Sequence, residues 1–351
     1  MSQPKYLDSA STTPVDPRVK EAMLPYFDEI FGNASSNHIY GKKAKQVIDV
    51  AREHVAKIIN ANSKEIVFTS GATEAINLGI KGYIQSNKEK GNHIITVKTE
   101  HKAVLNTCEY LESIGTEITY LGVDENGLIY LEELKKAIRE DTLLICVMYV
   151  NNEIGVIQDI DAIGTMAKEN NIAFFCDATQ AVGKIPVNVK ASNIDLLCMS
   201  AHKFNGPKGI GALYIKEGIK ITPQIHGGSQ ENGLRAGTYN TPLIVGLGKA
   251  CELALLELDS NYKKLKEKQV ALEKHYQENN IGTINCKGAN RAPHIISVCL
   301  NNMETEEYLM LNAKEMAIST GSACNSSIVE DSHVLKELNV TFKNSIRISY
   351  G

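Results

Sequence analysis

The chain has 351 residues, 43% of them hydrophobic and 22% charged, with only 9 prolines. That makeup excludes a disordered or fibrous protein and leaves room for one large core and a smaller second one. With 37 Lys and Arg against 41 Asp and Glu, the net charge is −4, so no overall basic surface is present to support direct nucleic-acid binding or adsorption to an anionic membrane.

The opening residues MSQPKYLDSAS lack the basic start and apolar run of a secretory signal. The longest strongly apolar stretch, Leu143 to Val150, is too short to cross a bilayer, so a cytoplasmic protein is expected. In chain order, Ala44, Val47, Ala51, Val55 and Ile58 first trace one apolar helical face. From about Ser63 to Ile215, short β-rich runs then alternate with helical patterns: EIVFTS, HIITVKT, EITYLG, TLLICVMYV, IAFFCDA, IDLLCMSA and IGALYIK, with helices such as His101 to Ser113 and Leu131 to Arg139 between them. This alternation predicts parallel strands joined by crossover helices, and the near-continuous hydrophobicity predicts strands buried on both faces. The expected architecture is α/β, a three-layer α/β/α body on a mostly parallel sheet.

After IGALYIK come a Gly-rich loop, His226 to Gly237, and a long helical region from about Pro242 to Asn279, dense in Leu, Glu and Lys. HIISVCL, a helix over Glu304 to Lys314, a Ser/Gly/Cys loop and NSIRISY then predict a small α+β unit, completed by the N-terminal segment. The expected division is a large domain over 14–245 and a small one made of 1–13 with 246–351. Among the 8 cysteines no C-x-x-C pair occurs, and Cys146, Cys176, Cys198 and Cys299 lie in apolar strand-like runs, where a thiol is usually a small hydrophobe. Neither a disulfide framework nor a metal site is expected.

In open parallel sheets ligands collect at the carboxyl ends of the strands, so the polar residues that follow each apolar run are read as a set. GATEA, Gly71 to Ala75, follows EIVFTS and opens a helix. Its backbone N–H groups and the Thr73 hydroxyl can hold a phosphate, although the same turn serves equally as an ordinary capped helix start. Asp177 ends IAFFCDA, where a carboxylate at a strand edge needs a cation or donor to stay ionised; a protonated pyridine nitrogen would serve, and so would a helix cap or a surface ion pair. Lys203 in SAHK follows IDLLCMS, where partial desolvation can lower an amine's pKa enough for imine formation, against the commoner exposed loop lysine. Cys324 lies among Thr320, Gly321, Ser322, Ala323, Asn325, Ser326 and Ser327. That small polar setting suits an accessible, ionisable thiol, whether nucleophile or plain loop cysteine. His38, His54, His275 and His333 have no partner pattern and read as surface residues, and His226 is given no role.

The ordered series GATEA, TEHKAV, NNEIG, DATQ, SAHKFNGPKG and HGGSQENGLRAGT, followed by STGSACNSS and RIS and preceded by YLDSASTTP and GNASSNHIYG, strongly resembles the NifS/IscS-like cysteine desulfurases of the class V aminotransferase family. The resemblance implies fold type I of the pyridoxal 5'-phosphate (PLP) enzymes. It implies Lys203 as the lysine that binds the cofactor covalently and shuttles the substrate's α-proton, Asp177 as partner of the pyridinium nitrogen, and His101 as the histidine on the ring face. Gln180 and Asn152 fall near the ring hydroxyl, with Asn152 also near substrate. Ala72, Thr73, Ser200 and His202 fall at the phosphate, as does Thr238, contributed by the neighbouring subunit of a homodimer. Arg347 matches the arginine that pairs with the substrate carboxylate, and Cys324 the nucleophile that takes sulfur from L-cysteine, leaving L-alanine and an enzyme persulfide. That persulfide would pass to an acceptor protein, such as an iron-sulfur scaffold or a tRNA-thiolation relay.

Two departures stand out. Asn232 occupies a position in the Gly-rich loop where the family often has arginine, while Arg235 is retained. The sequence also stops at Gly351, where relatives usually continue with a helical segment that helps dock acceptors and that would bear on how firmly Arg347 is fixed. The alternatives left by the sequence are a selenocysteine lyase, a weakly active partner-binding sulfur-transfer protein, and a generic aminotransferase that makes no use of Cys324.

Overall fold

Seven apolar runs become the seven strands of one sheet, and the elements around it follow the same chain order. The computed structural model describes residues 3–320 and 332–351. The strands are β1 (Lys5–Tyr6), β2 (Ile66–Thr69), β3 (His93–Val97), β4 (Glu117–Leu121), β5 (Thr142–Cys146), β6 (Ala173–Asp177), β7 (Leu196–Ser200), β8 (Gly211–Ile215), β9 (Gly282–Ile284), β10 (Ile295–Leu300), β11 (Met316–Ala317) and β12 (Ser345–Ser349). The helices are α1 (Pro17–Met23), α2 (Pro25–Asp28), α3 (Ile39–Ile58), α4 (Ala72–Asn87), α5 (Lys102–Ser113), α6 (Leu131–Ala137), α7 (Ile160–Glu169), α8 (Thr241–Glu278), α9 (Thr305–Asn312) and α10 (His333–Glu337).

The central sheet has the order β2-β8-β7-β6-β5-β3-β4. Parallel pairing links β7, β6, β5, β3 and β4, whereas β8 runs antiparallel to both of its neighbours, β7 and β2. The expectation of parallel strands therefore fails at β8. The stretch between Ser200 and Gly211 holds only a single 3-10 turn, and a connection without a crossover helix returns the chain as a hairpin. β4 is the second departure: it lies at the sheet edge and is only half-buried, as the alternating polar residues Glu117 and Thr119 require. The other six strands are buried along their length.

Adjacent residues in a strand point to opposite faces, and the core divides accordingly. Phe174, Cys176, Leu197, Met199 and Tyr214 pack with α3, α7 and the start of α8. Phe175, Cys198 and Leu213 pack with Ile76 and Ile80 of α4 and Val104 and Leu111 of α5. Burying Phe174 and Phe175, 0% and 1% exposed, contributes about 1.5–3 kcal/mol each. Gly79 lets α4 lie this close, since a Cβ there would stand 2.6 Å from the Phe175 ring. On α3 the buried stripe is Ala44, Ile48, Ala51, Val55 and Ile58, with Val47 only half-buried.

Helix α8, 38 residues and about 57 Å long at 1.5 Å per residue, joins this body to a second cluster. Its first turns bury Ile244, Leu247 and Ala250 against the sheet side, and its later part places Leu265 and Tyr276 with Ile296, Val298, Ile346 and Ile348 of the sheet β12-β10-β9. The N-terminal segment joins this second cluster: β1 pairs with β11, and Leu7 is buried with Ile348 and Tyr350. No helix among the described residues is long and apolar enough to cross a membrane.

Candidate active site

Parallel strands deliver the loops at their carboxyl ends to one edge of the sheet, and there a cavity of about 680 Å³ opens. It is lined by Ala72 and Thr73 after β2, His101 after β3, Asn152 after β5, Asp177 and Gln180 at the end of β6, and Ser200, His202 and Lys203 at the end of β7. Arg347 of β12 and the N-terminal stretch Asp8, Ala10, Ser11 and Thr12 close it from the second cluster. One cavity thus gathers the candidates named from the sequence, except two. Thr238 is exposed and does not line it, and Cys324 lies outside the described residues.

Asp177 is 6% exposed. Its Oδ1 accepts the Thr179 N–H at 2.9 Å and the Cys198 thiol at 3.3 Å, while Oδ2 has no protein donor among the described residues. A buried carboxylate with one oxygen satisfied and the other open to a cavity is a seat for a cationic nitrogen. Lys203 reaches across the cavity floor, its Nζ donating to the carbonyls of Ala10 and Ser11 at 2.7 and 2.8 Å. His101 caps α5, its Nδ1 accepting the Ala103 N–H at 3.1 Å; that bond leaves any ring proton of a neutral imidazole on Nε2.

The turn into α4 begins at Gly71, with φ 156°, a conformation that L side chains rarely adopt. The first-turn N–H groups of α4 have no intrahelical acceptor and face an anion favourably. Ser200 and His202 stand beside this turn at the end of β7. Burial, with the charges of Lys203 and Lys208, pushes the His202 ring down to about 4, so the ring is neutral at pH 7; its Nδ1 shares a hydrogen bond with the Thr12 hydroxyl at 3.1 Å. Arg235 of the Gly-rich loop pairs with Glu74 of the same turn at 2.8 Å. Burial opposes the Glu74 charge, but Arg235 and the Ser70 hydroxyl and N–H outweigh it and hold the carboxyl below its ordinary range.

Arg347 is 3% exposed. It donates to Asp8 Oδ1 and Ser11 Oγ at 2.7 Å each and to the Asn152 carbonyl at 3.0 Å. The planar fork is thereby fixed at the cavity wall, with geometry suited to a carboxylate. Gln180 is held by donation to the Ala10 carbonyl at 2.9 Å and by His294, whose Nε2 lies 3.4 Å from its Oε1. Burial drives the His294 ring well below its usual range, so it serves as a neutral strut.

Several participants were not visible in sequence. Asp8 fixes Arg347 from across the chain. Glu100, 1% exposed, accepts the Met148 N–H while its Oε2 has no partner among the described residues; burial and the neighbouring Asp177 charge push its carboxyl well above the usual range, which favours the neutral acid. Its place immediately before His101 in TEHKAV was the available signal. His333, expected at the surface, instead hydrogen-bonds the Glu100 carbonyl at 2.8 Å. In the Gly-rich loop, Asn232 is exposed with φ 55°, and Glu231 is buried in a bidentate pair with Arg52 at 2.6 and 2.7 Å.

The donor set fits pyridoxal phosphate. A helix start stands ready for the phosphate, Asp177 offers a half-satisfied carboxylate for the ring nitrogen, and Lys203 supplies an amine in the same cavity.

Comparison with known proteins identifies a family. The family described as aminotransferase class-V matches over residues 5–351. The cysteine desulfurase IscS of Neisseria meningitidis serogroup C (strain 053442) is 52% identical, covering 99% of this chain and 87% of the relative. That of Dictyoglomus turgidum is 49% identical, covering 100% and 90%. Among solved structures, a NifS-like protein superposes with a TM-score of 0.92 at 37% identity, covering 99% of this chain and 93% of its own. The structure described as SspA in complex with cysteine gives a TM-score of 0.86 at 40% identity, covering 98% of each chain.

Proposed function

The chain belongs to the class-V aminotransferase family, and from that premise we propose that it is a PLP-dependent cysteine desulfurase that takes sulfur from L-cysteine, releases L-alanine and carries the sulfur as a persulfide on Cys324. Its fold is the type I α/β arrangement. The observation that carries the reading is the convergence of Lys203, Asp177, His101 and Arg347 on one cavity.

When bound, pyridoxal phosphate supplies an electron sink for the charge left on a substrate's α-carbon. Lys203 would hold the cofactor and carry the proton of that carbon. Asp177 would pair with the ring nitrogen, and the first turn of α4 with Ser200 and His202 would receive the phosphate. Arg347 orients the substrate carboxylate, and Asn152, whose carbonyl Arg347 already holds, stands beside it. His101, which lines the same cavity, would lie against the ring face. Cys324 takes the sulfur: cysteine and a thiol become alanine and a persulfide, and the stoichiometry balances without an external oxidant.

Thr238 is assigned to the neighbouring subunit's phosphate site in a homodimer. Its exposure supports this, as do the exposed Leu24, Phe27, Phe31, Ile39 and Tyr40, an apolar group of the kind that partners cover. The persulfide is passed to a sulfur-accepting protein, and the chain divides at 14–245 against 1–13 with 246–351.

The test is alanine formation from cysteine by the yellow holoprotein, with the persulfide located by mass spectrometry. Cys324→Ala keeps the cofactor band and loses the persulfide; desulfuration by Cys324→Ala at the parent rate removes Cys324 from the mechanism.

A further inference from the structure

The carboxylate of Glu74, third residue of α4, shares the helix start at which the cofactor reading places a phosphate. Its Oε2 reaches back to accept the Ser70 N–H at 2.8 Å, and Ser70, Ala72, Thr73 and Glu74 all line the cavity. A first-turn carboxylate complements the positive end of its own helix. It also sets a fixed negative charge beside the free N–H groups that would receive a second anion. Burial opposes that charge, yet the bonds from Arg235 and Ser70 prevail and keep Glu74 ionised at neutral pH. A doubly charged phosphate would therefore meet a like charge unless something cancels it.

The cancelling charge comes from 161 positions away: Arg235 donates from Nε to Glu74 Oε1 at 2.8 Å and from NH2 to Oε2 at 3.3 Å. Arg235 does not line the cavity, so it acts on the site only through Glu74. An ordinary loop strut is the competing account, and two observations weigh against it. The pair is partly open to solvent, with side chains 26% and 16% exposed, and such pairs add little to stability. The Gly-rich loop is also fastened without it: Glu231 pairs with Arg52 and accepts the Phe68 N–H at 2.9 Å, and Leu234 packs against the cluster of Phe175 and Ile76. What Arg235 adds is charge at the helix start.

We propose that Arg235 is a positioning residue for the phosphate seat: it holds and neutralises the Glu74 carboxylate, so that the first turn of α4 can take a doubly charged anion. The proposal rests on the cofactor reading above. Coulomb repulsion between an unpaired carboxylate and a phosphate dianion, acting through partly solvated protein, would weaken binding about three- to thirty-fold. A strut and a charge shield give opposite signs at Glu74, since removing its charge breaks a strut but favours an anion.

The experiment titrates pyridoxal phosphate, and pyridoxal as the analogue without phosphate, into the full chain freed of cofactor, with the visible absorption band reporting occupancy. Arg235→Gln is expected to raise the half-saturating concentration of pyridoxal phosphate about three- to thirty-fold, with that of pyridoxal unchanged. Arg235→Lys keeps the charge and should recover most of the loss. Glu74→Gln keeps an acceptor for the Ser70 N–H and should bind pyridoxal phosphate at least as tightly as the parent; combined with Arg235→Gln, it should bring the affinity back. Parent affinity in Arg235→Gln, equal losses for the two ligands, no recovery in the double variant, or weaker binding by Glu74→Gln alone each overturn the proposal. The Glu74→Gln result decides by itself if Arg235→Gln does not fold. A parent that takes up no pyridoxal phosphate overturns the cofactor reading instead.

Discussion

Replacing Arg347 with lysine keeps the positive charge and removes the fork. In the structure the guanidinium spends NH2 on Asp8 and Ser11 and NH1 on the Asn152 carbonyl, so its plane is locked before substrate arrives. A lysine ammonium can follow Asp8 but cannot hold that carboxylate, the carbonyl and a substrate carboxylate in one plane. Losing one charge-assisted hydrogen bond to substrate is worth about 1.5–3 kcal/mol, so kcat/KM for cysteine should fall about ten- to a hundred-fold, carried mainly by KM. The assay is steady-state alanine release, with the cofactor band recorded to show that the site is otherwise intact. Cysteamine, which has the thiol and amine but no carboxylate, is the control: the parent and Arg347→Lys should handle it equally poorly. If the variant kept the parent KM for cysteine, or lost cysteamine turnover in the same proportion, the carboxylate assignment would be refuted.

Lys203→Ala should yield protein from which pyridoxal phosphate is removed by gel filtration, and a visible band that survives this treatment would contradict a covalent role. Arg52→Ala leaves Glu231, 2% exposed at its side chain, as an unpaired buried charge, which should destabilise the fold by about 3–5 kcal/mol in urea unfolding; a loss under about 1 kcal/mol would mean the pair is not a strut. The depressed His202 ring means the unfolded chain binds its proton first, so stability should fall as pH drops from 6.5 toward about 4. Replacing His202 with asparagine should flatten that slope, and an unchanged slope would count against the neutral ring.

Much of this arrangement could be read from residue order, because apolar runs followed by polar residues mark strand ends whatever the tertiary context. Asp177 and Lys203 were legible for that reason, and the GATEA turn for its glycine and helix start, whereas Ser200 and His202 were named only through the family resemblance. Strand direction was not: hydrophobicity is the same read either way, and only the short, helix-poor stretch between β7 and β8 hinted at a hairpin. The edge position of β4 was legible in its polar alternation but was masked by the apolar runs around it. Asp8 could not be assigned a role, since its bond to Arg347 spans 339 positions and no local periodicity reports such a contact. His333 was misread because a lone histidine in a short helix usually faces water, and what holds it is a carbonyl on a loop distant in sequence.

The reversal of β8 has a consequence for Lys203. Lys203 sits in the bend of a hairpin whose arms are zipped by five residue pairs from Leu196↔Ile215 to Ser200↔Gly211, deep in the sheet rather than at its margin. A one-residue deletion in β7 would shift its alternation and carry this side chain off the Ala10 and Ser11 carbonyls that hold it. Amide protons along these arms should exchange among the last in the molecule, so Lys203 follows a strand held in register on both sides.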